Sequence, residues 1–192
     1  MATPLRKIIP FVIAALVSGI LSYATEGMPR LSHELQAQLT SYFINPQLLL
    51  PGVWYGLVLA GLAWILGARG ILGAIAALVM TWVGWQLAVQ AGIVAFDRFA
   101  AVTPDETTRL TVAGAAGGLV GAFISFVGVR LGVPMKGTFL ALIATLIVGA
   151  VFGLLLPWSS TRQSAGLLLY AAWQPAVTAT MAWFAVVRRK LV

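Results

Sequence analysis

No cysteine occurs among the 192 residues. Disulfides, thiol catalysis, Cys-ligated zinc and iron–sulfur clusters are thereby excluded. Histidine is nearly as scarce: His33 stands alone, so paired imidazoles from one chain cannot hold a haem. Charge is the third shortage. Only 9% of the residues are charged, against about 25% in an ordinary soluble domain. Against this, 60% are hydrophobic and the mean hydropathy is +0.97. Such a composition is matched to lipid, not to a water-soluble core.

Six apolar runs reach the length of about 20 residues that a helix needs to cross hydrocarbon. They fall at roughly 8–25, 47–67, 70–93, 107–131, 137–157 and 166–187. None alternates with period two, which excludes transmembrane β-strands. The expected fold is therefore an all-α integral membrane protein, a single domain over 1–192 with six transmembrane helices.

Negative charge is the rarest kind, and its placement gives the orientation. Glu26, Glu34, Asp97, Asp105 and Glu106 all lie in the first and third gaps between runs. Arg6, Lys7, Arg69, Arg130, Lys136, Arg188, Arg189 and Lys190 lie at the N-terminus, in the second and fourth gaps, and at the C-terminus. Loops rich in Lys and Arg stay cytoplasmic. Both termini are therefore expected in the cytoplasm, with the gaps 26–46, 94–106 and 158–165 outside. The net charge of +7 would suggest nucleic acid in a soluble protein; here topology accounts for it, and nucleic acid is not an expected partner. The lipid bilayer is one, with anionic headgroups at the basic face. The expected location is a plasma (inner) membrane of bacterial type. A cleaved signal peptide ending at Ser22-Tyr23-Ala24 is the competing reading of the first run, which is longer than a usual signal-peptide core.

Two gaps carry local structure. Leu31, Leu35, Leu39 and Phe43 recur every four residues, the spacing of one helical face. With Ser32 as cap, Glu34 in the first turn and Asn45-Pro46 as the stop, a short amphipathic helix on the outer membrane surface is expected. In the third gap, Thr103-Pro104-Asp105-Glu106 reads as an N-cap, a proline at the first helical position and a glutamate at the third. Arg109 is spaced to pair with Asp105 or Glu106. These acids are expected to initiate a helix, not to catalyse.

Two sets of residues remain. Gly114, Gly117, Gly118 and Gly121 form small-residue ridges in the fourth run, and Gly149 and Gly153 form another in the fifth. Such ridges let helix backbones approach closely in lipid. They are expected to pack internally, or else to seat a partner subunit or a second copy of the chain, through the fourth run or through Ala15, Gly19 and Ser22 of the first. The other set is polar and aromatic: Trp54 in the second run, Trp85, Gln86 and Gln90 in the third, Tyr170, Trp173 and Gln174 in the sixth, beside Pro175. At 1.5 Å per residue, Trp54, Gln86 and Gln174 share a depth of about 9–12 Å below the outer surface. An outward-facing pocket for a small molecule among the second, third and sixth spans is the expectation. Its rival is that the rings form an interfacial belt and the glutamines join helices.

No acid–base or metal-ligand constellation suggests an enzyme, and no cofactor is expected. No span interior carries an ionisable group of the kind that drives ion-coupled carriers. In length, span number and small-residue first span the chain is similar to the substrate-capture subunits of energy-coupling-factor importers, though no motif of that family is present. Those subunits show that a carrier without an ionisable pathway of its own can be powered by a partner. The expected function is thus a membrane transport or solute-binding subunit that depends on partner proteins. The alternative is a non-catalytic scaffold or assembly factor packed against other membrane subunits.

Because the chain has no cysteine of its own, the topology is directly readable by labelling. Single cysteines at Gln36 or Thr161 should react with an impermeant thiol reagent on intact cells, and one at Lys136 only after lysis. Labelling of position 136 from outside would contradict cytoplasmic termini.

Overall fold

A computed structural model describes residues 4–42, 44–135, 137–160 and 165–187, and among these every regular element is helical. Phe43, Lys136, Thr161, Arg188, Arg189 and Lys190 lie outside the described residues. The helices are α1 (Pro4–Ala24), α2 (His33–Ser41), α3 (Leu49–Leu66, preceded by a 3-10 turn at Pro46–Leu48), α4 (Gly70–Phe99) and α5 (Glu106–Gly132). They continue with α6 (Thr138–Gly153), α7 (Leu156–Ser160) and α8 (Ala165–Val187).

Five segments are long and apolar enough to cross a membrane: α1, the 3-10 turn with α3, α4, α5, and α6 continued into α7. The sixth run, α8, has 23 residues, about 34 Å of helix. Its length suffices, but Tyr170, Trp173, Gln174, Pro175, Thr178 and Thr180 interrupt its apolar character, and it does not join the five.

Buried positions follow helical period. In α1, Ile8, Phe11, Ala15, Ser18, Gly19 and Ser22 are buried, one face at steps of three and four. The opposite face exposes Ile9, Ile13, Leu16, Val17 and Ile20, side chains that suit hydrocarbon. Contacts between the long helices run in a cycle: α1 against α3, α3 against α4, α4 against α5, α5 against α6, α6 against α8, and α8 back against α1. The chain therefore closes on itself as a ring of six helices, with α7 resting on α5 and α8 at one end.

Glycine sets how closely the ring draws together. A Cβ on Gly114 would overlap the Gly153 carbonyl, and one on Gly118 the Gly149 carbonyl, so α5 and α6 meet backbone to backbone. Across the α4–α5 seam, a Cβ on Gly117 would come within 2.9 Å of the Ala88 carbonyl. The α1–α8 closure depends on Gly19, whose added Cβ would stand 2.6 Å from the Tyr170 carbonyl. The turn into α4 uses Gly70 at φ +52°, a conformation that disfavours any Cβ.

Several boundaries differ from those read in the sequence. The fifth run, expected to continue to 157, breaks after Gly153 because Pro157 lacks the N–H that would bond the Gly153 carbonyl and its ring would crowd that carbonyl. The third run continues past 93 to Phe99, since no helix breaker occurs before Pro104. Helix α2 forms with Ser32 as its cap, its Oγ accepting from the Leu35 N–H at 3.4 Å, and buries none of its residues. It ends at Ser41, while Asn45 instead caps the 3-10 turn, accepting from the Gln47 N–H at 3.0 Å. The α5 cap is Asp105, not Thr103: its Oδ2 accepts from the Thr108 N–H at 2.8 Å. Thr103 accepts from the Asp105 N–H one turn earlier. The Asp105 carboxylate takes both the N–H and the hydroxyl of Thr108, and as an anion it is favoured at the helix N-terminus over the neutral hydroxyl of Thr103. These bonds, the Thr108 hydroxyl first, hold the Asp105 carboxyl below its usual range. Arg109 pairs with neither acid; its Nε donates to the Phe96 carbonyl at 3.2 Å and its guanidinium lies 3.8 Å from the Phe96 ring centroid.

Asp105→Ala should therefore lower stability by about 1 kcal/mol, the ordinary effect of losing an N-cap, and Thr103→Ala by less. Reversible unfolding of both variants in mild detergent measures the difference. A larger loss for Thr103→Ala would return the cap to position 103.

Candidate functional site

The packed core of the ring leaves one flank unfilled. A cavity of about 440 Å³ lies between α4, α5 and α8, with Gly153 of α6 and Leu156 of α7 completing its wall. Glu26 and Leu48 also border it, and both belong to the connection between α1 and α3. The rim therefore stands at the end of the ring where that connection runs. Along α5 the wall extends from Leu110 to Ser125, about 22 Å of helix. Five of the seven α5 residues on that wall are glycine or alanine, so α5 leaves space where other helices present larger side chains.

Aromatic rings close the opposite side. Trp85, Tyr170 and Trp173 all line the cavity. The Trp85 and Tyr170 centroids are 5.6 Å apart, and those of Trp85 and Trp173 are 6.1 Å apart at 82°. Tyr55 backs them from α3, 5.5 Å from Trp173 and 6.3 Å from Trp85. These are favourable edge-on and tilted arrangements. Trp173 is anchored by its Nε1, which donates to the Gly149 carbonyl at 2.9 Å. That carbonyl is at the point where α5 and α6 meet. Trp85 has no such anchor: its indole N–H is buried without a hydrogen-bond partner.

The amides take a different part from the rings. Gln174 is 0% exposed and donates from Nε2 to Ser22 Oγ at 3.0 Å. Ser22 in turn donates to the Pro51 carbonyl at 3.3 Å, so α8, α1 and α3 are tied at one level. Gln86, 4% exposed, accepts from the Asn45 N–H at 2.8 Å and donates to the Leu48 carbonyl at 3.2 Å. Trp82 adds a bond to the Leu49 carbonyl at 3.3 Å, and Trp54 donates to Thr25 Oγ1 at 3.1 Å. Helix α4 thereby clamps the entry to α3.

The site expected among the second, third and sixth spans is displaced. Trp85, Tyr170 and Trp173 line the cavity; Trp54, Gln86, Gln90 and Gln174 do not. The second span gives way to the fourth, because Tyr55, Leu59 and Leu62 fill the inner face of α3 completely while α5 leaves its inner face empty. Five of the six ridge glycines, Gly114, Gly117, Gly118, Gly121 and Gly153, border the cavity as well as packing helices.

Glu26 is the residue that sequence patterns gave no reason to select. It stands exposed at the rim, and its carboxylate accepts a hydrogen bond from the Tyr170 hydroxyl. Partial desolvation raises its pKa above the ordinary carboxylate value, opposed in part by that hydrogen bond. No group of three His, Cys, Asp or Glu suited to a metal occurs among the described residues. Comparison with family models, characterised proteins and solved structures returned no match.

With the amides engaged between helices, Gln86→Leu and Gln174→Leu should each lower thermal stability, by about 0.6–2 kcal/mol for an interhelical bond in lipid. Thermal melts in the absence of any added solute measure this. Unchanged melting of Gln174→Leu would contradict the α1–α3–α8 tie.

Proposed function

We propose that the chain is a membrane transport or solute-binding subunit that holds an organic solute in this cavity. In this reading α8 is a sixth span, both termini are cytoplasmic, α2 lies on the outer surface, and the rim at Glu26 and Leu48 faces outward. The observation that carries the reading is the cavity itself: about 440 Å³, bordered by Trp85, Tyr170 and Trp173 between α4, α5 and α8. Small-molecule sites are commonly concave and aromatic-walled with few polar groups. Away from their end turns the long helices hold no Asp, Glu, Lys, Arg or His, which argues against ion coupling through a mid-span group. In this reading partner proteins supply the energy for any transport step.

The scaffold alternative draws on the same glycine ridges, but needs them free. Gly114, Gly118, Gly149 and Gly153 are occupied by each other, and Gly19 by the backbone of α8. Their use inside the ring favours the solute reading.

A bulky side chain in the wall should separate fold from binding. Val89 borders the cavity, and Val89→Trp should abolish solute-dependent changes in tryptophan emission while the melting temperature stays within a few degrees of wild type. A solute screen by fluorescence in lipid nanodiscs makes the comparison. Full solute response in Val89→Trp would place binding elsewhere.

A further inference from the structure

We propose that the cavity takes an organic cation with an apolar body, its charge beside Glu26 and its body against Trp85, Tyr170 and Trp173. This rests on the reading of the cavity as a solute site and adds the sign and chemistry of the ligand. Among the described residues Glu26 is the one carboxylate on the cavity wall, and no Lys, Arg or His accompanies it there. Glu26 thus offers a positive charge a partner at the rim, while the Arg109 guanidinium of the same region is already engaged with the Phe96 ring and carbonyl. The rings act in the same sense, because the face of an aromatic ring attracts a cation. A fourth ring on the wall, Phe96, already carries the Arg109 guanidinium at 3.8 Å. It is left out of the count, yet it shows that a ring of this wall holds a cation.

An inorganic ion does not fit the same surroundings. Hard cations require six or more oxygen ligands, whereas the wall offers one carboxylate, Ser125 and Tyr170 among apolar residues. A quaternary or bulky amine is weakly hydrated and loses little on entering such a space. Its charge would restore to Glu26 part of the solvation that burial removes, and the Tyr170 hydroxyl already orients that carboxylate. A neutral hydrocarbon chain would be content with the glycine and alanine wall, but it gives Glu26 nothing to do.

The matched probes are benzyltrimethylammonium, its uncharged carbon isostere neopentylbenzene, and benzenesulfonate. Each is titrated against the full chain in nanodiscs by tryptophan fluorescence, with partition into protein-free discs subtracted. The cation should bind at least about tenfold more tightly than the isostere, the combined effect of ring faces and one carboxylate, and the sulfonate should not bind. Glu26→Gln should bring the cation down to the affinity of the isostere and leave the isostere and the melting temperature unchanged. Equal affinities of cation and isostere in wild type, or full cation affinity in Glu26→Gln, would overturn the cation assignment while leaving a neutral solute site. If none of the three perturbs wild-type emission, the solute-site reading falls with it.

Discussion

The backbone contact between α5 and α6 is the constraint on which the rest of the molecule depends. Helices in lipid gain nothing from hiding apolar surface from one another, so they associate through close van der Waals packing. Gly114 and Gly118 against Gly153 and Gly149 bring two main chains together where any Cβ would collide. The consequence is double-edged. A helix stripped of side chains to allow that approach cannot fill the space on its inner flank. The cavity is the volume that α5 leaves empty, and Trp173, bonded to the Gly149 carbonyl, is held facing it by the same contact.

Closure of the ring adds a second requirement. Helix α1 must pass close enough to α8 for Gly19 to touch the Tyr170 backbone, and a polar chain from Gln174 through Ser22 to the Pro51 carbonyl registers three helices at that level. Just beyond the end of α1 stands Glu26, brought to Tyr170 by this approach. The α4 clamp of Gln86 and Trp82 on the segment 45–49 fixes Leu48, the other rim residue. Side chains that do not touch the cavity thus determine what surrounds its opening.

The helical character and most element positions were legible in the sequence, because apolar length and period are properties of each segment alone. The errors lie where a single residue acts on its neighbours in space or along the chain. Pro157 ended α6 four residues before itself, and Asp105 outcompeted Thr103 as a cap because its carboxylate is an anion at the helix N-terminus. The lining of the cavity was half legible. Trp85, Tyr170 and Trp173 were visible as rings at a shared depth, and the ridge glycines as a pattern. That Gln86 bonds the entry to α3 through both ends of its amide, and Gln174 bonds α1 through its Nε2, depends on Ser22, Asn45 and Leu48 arriving beside them, contacts made across 38 residues or more. Glu26 was hidden for the same reason: its partner is on the last helix, and no motif joins them.

Taken together, the packing glycines, the aromatic wall and the rim carboxylate describe one continuous space reached from the end of the ring bordered by Glu26 and Leu48. The most direct test of that account is the reactivity of one introduced thiol, Ala88→Cys, on the α4 wall. The chain has no other cysteine, and Ala88 borders the cavity. In intact cells a membrane-impermeant cationic methanethiosulfonate should modify position 88 faster than an anionic one, and benzyltrimethylammonium should slow it. Modification only after denaturation, or equally by both reagents with no protection, would contradict an outward-opening cavity selective for cations.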